Sequence, residues 1–114
     1  MVHLTFRRDG RNRLSSVFSS GHVEIESTSS DEYSLVCAAI SAILQAARLG
    51  LEEYAKIALE AEQQPGEMAL RWPMHDRDDP RVEAIVRTAE LAIEQIASQY
   101  PQYVRVEQEP EQRA

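Results

Sequence analysis

One thiol and one imidazole set the chemistry open to this sequence. Cys37 is its single cysteine, in the run Val36-Cys37-Ala38-Ala39-Ile40-Ser41, and a Gly21-His22 pair lies upstream. A lone thiol makes no disulfide within the chain, so it is either inert filling or a reactive group. An imidazole near a thiol can take its proton and later protonate a leaving amine, the pairing that nucleophilic catalysis by cysteine requires. Each residue also has a plain structural reading. Free cysteine is among the most buried residue types, and His22 can be an exposed loop histidine. Their joint placement is more telling, because a helix start and the end of the preceding strand can meet at one sheet edge in a two-layer fold.

The helix start is open to two readings. Ser34 is a good N-cap residue and would put Cys37 at the third helical position, near unpaired backbone amides and the positive end of the helix dipole. There a thiolate is favoured. Alternatively the helix begins at Ser29 or Asp31, with Ser29-Ser30-Asp31-Glu32 as a capping box, and Cys37 sits a turn deeper. On a helical wheel Cys37 falls roughly 70° from the centre of the apolar stripe, on its flank, where a side chain can be half exposed. Ser41 follows one turn later on the same side. It can hydrogen-bond a substrate, or more simply the carbonyl of Cys37.

The elements that would hold these residues read as follows. Val2-His3-Leu4-Thr5-Phe6 alternates like a strand, Asp9-Gly10-Arg11-Asn12 is a turn, and Leu14-Ser15-Ser16-Val17-Phe18 is a second strand, which makes an opening hairpin. A helix is expected from about Leu35 to Leu49, with Val36, Ile40, Ile43, Leu44, Ala47 and Leu51 as its apolar stripe; it either ends at Gly50 or continues. Residues 56–61 and Met68–Trp72 flank Pro65-Gly66 and are read as a second hairpin. Asp79 caps a second helix with Pro80 at its first position, Val82, Ile85, Val86, Ala89, Ile93, Ile96 and Ala97 form its buried stripe, and Pro101 ends it. Tyr103-Val104-Arg105-Val106 is a last strand. The order ββαββαβ, about five short strands and two amphipathic helices, implies an α/β protein of the α+β type, a two-layer sandwich. One domain is expected over residues 1–106, with a polar disordered tail over 107–114.

Composition narrows the function class. The chain has 114 residues, 43% hydrophobic and 27% charged, with a net charge of −7. That balance argues against direct nucleic-acid binding and suits either simple solubility or a basic peptide partner. No apolar run reads as a membrane span and no signal peptide is seen, so a cytoplasmic protein is expected. His75-Asp76-Arg77-Asp78-Asp79 is weak as a metal site and reads better as a helix N-terminus; neither a metal nor a cofactor is expected, and His3 is given no role.

Gly21-His22, a short loop, and Leu35-Val36-Cys37-Ala38-Ala39-Ile40-Ser41-Ala42 together resemble the ribosomal-processing cysteine protease family. The likeness extends along nearly the whole chain, including Gly50-Leu51-Glu52 after the first helix. The resemblance implies a small cytoplasmic bacterial homodimer that removes a short N-terminal extension from a large-subunit ribosomal protein, cutting beside aromatic residues. It implies Cys37 as nucleophile, His22 as general base, backbone amides at the helix start as oxyanion donors, and a basic ribosomal protein or its N-terminal peptide as partner. Gly21, Ser34, Ser41 and Asp31 are the candidate supporting residues. Two positions depart from the family pattern: Ser34 stands where the family has Asp, and Glu32 stands near its glycine. A non-catalytic dimeric module that binds a ribosomal protein, or serves ribosome assembly, is the alternative.

Overall fold

The computed structural model describes residues 1–21 and 31–111. β1 (Val2–Arg8) and β2 (Leu14–Ser20) pair antiparallel as the opening hairpin. Asp9 builds the turn between them, its Oδ1 accepting from the backbone N–H of Arg11 at 2.9 Å and of Arg13 at 3.1 Å. α1 (Asp31–Leu49) runs on through a wide π-helical turn at Gly50–Tyr54. Gly50 lets the chain pass α2, since a Cβ there would come within 3.2 Å of Ile85. β3 (Glu60–Gln64) and β4 (Glu67–Arg71) form the second hairpin around Pro65-Gly66. α2 (Pro80–Gln99) starts as expected, with the Asp79 side chain accepting from the Arg81 N–H at 2.9 Å. β5 (Val104–Pro110) closes the sheet, whose order is β3-β4-β2-β1-β5. Among the described residues, only the β1–β5 pair is parallel. Five strands and two helices thus make the expected two-layer α+β sandwich.

Period-two alternation puts Val2, Leu4 and Phe6 of β1 on the helix side of the sheet, with Val17 of β2 and Met68 and Leu70 of β4 beside them. Val36, Ile40, Leu44 and Leu51 meet them from α1 and its extension, and Val82, Val86 and Ile93 from α2. Each such side chain contributes about 1.5–3 kcal/mol when taken out of water. Trp72 is buried with them and donates its indole N–H to the Leu14 carbonyl at 2.7 Å, which satisfies its polar atom.

Several expectations change. α1 already includes Asp31, so Ser34 is an interior helical residue and not an N-cap; Ser29 and Ser30 of the alternative capping box lie outside the described residues. Of the two readings at Gly50 the second is found: the helix continues through Gly50–Tyr54. The strand expected over residues 56–61 begins only at Glu60, because the helical turn runs to Tyr54 and Lys56 then takes a left-handed backbone at φ 55°. Residues 107–110 are not a loose tail: they extend β5 along β1, pairing Thr5 with Glu107 and Arg8 with Pro110. The helical span Asp31–Tyr54 has 24 residues, and an 18-residue window within it has a mean hydropathy of 1.7, so by length and composition alone it is long and apolar enough to cross a bilayer. That corrects the reading that no apolar run is long enough. The span nonetheless supplies Val36, Ile40, Leu44 and Leu51 to the core, as the central helix of a water-exposed fold does.

Two buried charges tie distant segments together. Glu90 on α2 has no exposed surface and accepts from both guanidinium nitrogens of Arg8, at 3.0 and 2.8 Å, from Gln108 of β5 at 2.8 Å, and from Arg87. Arg77 is equally buried, donating to the Trp72 carbonyl at 3.0 and 3.1 Å, to Asp9 at 3.1 Å and to Glu111 at 3.3 Å. Burial opposes ionisation of Glu90, but Arg8, Gln108 and Arg87 outweigh it and hold the carboxyl below the usual range. Burial likewise opposes ionised Asp9, and the N–H groups of Arg13 and Arg11 with the Arg77 guanidinium outweigh it.

At the end of β2, Gly21 holds φ at 153° and donates its N–H to the Gly66 carbonyl at 2.9 Å. A Cβ at Gly21 would sit 2.8 Å from the Val2 Cα and 2.9 Å from the Met1 carbonyl oxygen. Only glycine fits where these backbones approach.

Both carboxyls titrate lower in the fold than in the unfolded chain. Their stabilisation is therefore complete above the ordinary values of 3.8 for Asp and 4.5 for Glu, and is lost as pH falls through the lowered ones. Glu90→Gln is expected to cost about 2 kcal/mol at neutral pH and to flatten the acid-side loss of stability, read from urea midpoints across pH. An unchanged midpoint would contradict the clamp. Gly21→Ala is expected to cost about 2 kcal/mol through the strained backbone, read from thermal unfolding; a melting temperature equal to that of the parent would show that the approach is not tight.

Candidate active site

The row Val36, Cys37, Ile40, Leu44 places one face of α1 on the sheet. Cys37 belongs to that row and not to its flank, with 4% of its surface exposed. The helical wheel misplaced it: Cys37 is packed in the core cluster together with Val36, Ile40 and Leu44. Cys37 is nevertheless not sealed in hydrocarbon. It lines an open cavity of about 280 Å³ whose walls include Val2, Ser19, Gly21, Ile40, Ser41 and Met68.

Three elements shape that cavity. α1 brings Cys37 and, one turn later, the exposed Ser41 and then Gln45. The end of β2 brings Ser19 and Gly21, and the β3–β4 hairpin brings Gln63, Gln64, Pro65, Gly66 and Glu67. The Gly21–Gly66 hydrogen bond joins the last two. Around the rim, Gln45 donates its side-chain amide to Gln63 at 3.1 Å, and Gln64 donates to Glu67 at 3.0 Å. Tyr33, one turn before Cys37, packs edge-on against Tyr103 with ring centroids 5.4 Å apart, which fixes the N-terminal end of α1 to the start of β5.

Of the candidate residues, Cys37, Ser41 and Gly21 come together on this cavity. Ser34 and Asp31 are in α1 but do not line it, and Asp31 is exposed at the first turn. His22 lies outside the described residues. The helix-start amides expected as oxyanion donors are also displaced from the sulfur. Cys37 is the seventh residue of α1, where backbone N–H groups are spent on intrahelical bonds. The glutamine and glutamate rim was not foreseen; Pro65-Gly66 signalled the turn that carries it, not its place beside the thiol. His75 is exposed and stands 3.3 Å from Asp76, and among the described residues no three His, Cys, Asp or Glu side chains are grouped to hold a metal.

A small thiol on an open cavity that Gly21 also lines can present sulfur to an extended chain. Solved structures share this fold. A ribosomal processing protease Prp from S. aureus, in complex with a substrate peptide, superposes with a TM-score of 0.83 at 15% identity over 96% of this chain and 100% of that one. The same enzyme with a covalently linked product peptide gives 0.81 at 17% identity, over 96% and 100%. SMU.848 from Streptococcus mutans gives 0.79 at 23% identity, over 97% and 96%. No curated protein sequence matches the chain. The sequence model of the cysteine protease Prp family matches residues 1–105, nearly the whole length, and the chain belongs to that family.

Proposed function

We propose that this protein is a cytoplasmic, homodimeric cysteine endopeptidase that removes a short N-terminal extension from a large-subunit ribosomal protein. Cys37 is the nucleophile and His22 the general base. The observation that carries this reading is that Cys37 opens onto the same cavity as Gly21, the residue bonded to His22, in a chain of a cysteine protease family. The ribosomal substrate rests on the resemblance of the Gly21-His22 and Cys37 segments and on the S. aureus enzymes of the same fold, named for ribosomal processing.

In this mechanism His22 takes the thiol proton and the Cys37 sulfur attacks the scissile carbonyl carbon. The C–N bond breaks as His22 returns the proton to the leaving amine, leaving a thioester on Cys37. Water, deprotonated by His22, attacks the thioester; the C–S bond breaks and the thiol is restored. The hydrophobic floor around Cys37 excludes bulk water from the acyl-enzyme until the amine product leaves. A chain carrying −7 charge favours encounter with a basic ribosomal protein.

The binding-module reading is favoured by one feature, the near-complete burial of Cys37. Cleavage separates the two. The parent protein is expected to cut a peptide spanning the N-terminal extension of a large-subunit ribosomal protein at one bond, scored by mass spectrometry. Cys37→Ala is expected to remove cleavage, and His22→Ala to slow it at least a hundredfold, with unchanged circular dichroism. Cleavage that survives Cys37→Ala would refute the mechanism. Binding without turnover by the parent would replace it with the module.

A further inference from the structure

From the walls of the Cys37 cavity we infer that Glu67 selects substrate, favouring a peptide with a cationic side chain close to the scissile bond. This rests on the protease reading and adds the residue that reads charge.

Among the described residues lining the cavity, Glu67 is the one charged side chain. It stands just past the Pro65-Gly66 turn, where the hairpin is held to the end of β2 by the Gly21–Gly66 bond. The rim beside it is built of uncharged primary amides, Gln45, Gln63 and Gln64. Such groups can donate to and accept from a peptide backbone without distinguishing the sign of a side chain. Glu67 does distinguish it. The Gln64 amide engages one Glu67 oxygen at 3.0 Å, across the turn, and so steadies the carboxylate at the rim. Asp31, the acidic candidate on α1, does not line the cavity. Among the described residues, acidic selectivity at this mouth therefore falls to Glu67. The side chain is exposed, so its effect is that of a solvent-screened ion pair, a few-fold preference and not an absolute filter.

The test uses peptide pairs that differ only in arginine against citrulline at successive positions flanking the cleaved bond. For the parent protein, an arginine is expected to improve kcat/KM about threefold at low salt at one or two positions, through KM, with the advantage shrinking at high salt. Glu67→Gln keeps an oxygen for the Gln64 amide and is expected to bring the ratio to about one. Glu67→Lys is expected to invert it. An arginine preference that persists in Glu67→Gln, or none in the parent, would overturn the proposal. If the parent binds these peptides without cutting them, the same ratios are read from dissociation constants. Charge-dependent binding lost in Glu67→Gln would then uphold Glu67 while sinking the protease reading, and equal dissociation constants in the parent would sink both.

Discussion

The docking of α1 through Val36, Cys37, Ile40 and Leu44 onto β1, β2 and β4 is the contact on which the remaining structure depends. It closes the hydrophobic layer between helices and sheet. It also decides where the sulfur goes, because a helix seated by this row has no freedom to turn Cys37 outward. The thiol therefore lies at a boundary, packed on one side by the core and open on the other to the cavity beneath the β3–β4 turn. A thiol in that place can be reached by a chain entering the cavity.

The parallel pairing of β1 with β5 supports that seat from the other side. β5 carries Tyr103 at its entrance, where it meets Tyr33 on α1, and Gln108 further along, where it meets Glu90 on α2. Arg8 leaves the end of β1 to complete the Glu90 cluster, and Arg77 fastens the turn before α2 to Asp9 and Glu111. Glu90 and Arg77 are each buried beside counter-charges, the condition under which such groups hold a fold together instead of weakening it. The acidic excess of the chain is then left to the surface, where it sets the sign of long-range attraction.

What could be read from the residues alone follows the range of the interactions concerned. The opening hairpin, the Pro65-Gly66 turn and the Asp79-Pro80 helix start are encoded by neighbours a few positions apart, and each was legible. Cys37, Ser41 and Gly21 were recognisable from residue type and spacing, and the cavity unites them. The extension of β5 to Pro110 was hidden because its polar sequence is ordered by a strand about a hundred positions away. Glu90 stands outside the apolar stripe of α2, and nothing nearby in sequence announces Arg8 or Gln108. The helix start was ambiguous because Ser34 satisfies the local rule for a cap, while the aromatic contact of Tyr33 with Tyr103 favours a helix that begins earlier. Glu67 shows the same limit: a glutamate after a turn has no local mark of sharing a cavity with a thiol 30 positions before it.

Activation of the Cys37 sulfur by the His22 imidazole is the central claim, and covalent capture tests it most directly. The full-length protein is incubated with a peptide of the N-terminal extension that ends in an aromatic residue carrying a chloromethyl ketone, and the alkylated residue is located by mass spectrometry. Rapid, stoichiometric alkylation of Cys37 that slows strongly in His22→Ala, with the fold intact, is the expected result. Labelling of Cys37 at the same rate in both proteins, or no labelling of Cys37 while the peptide binds, would contradict it.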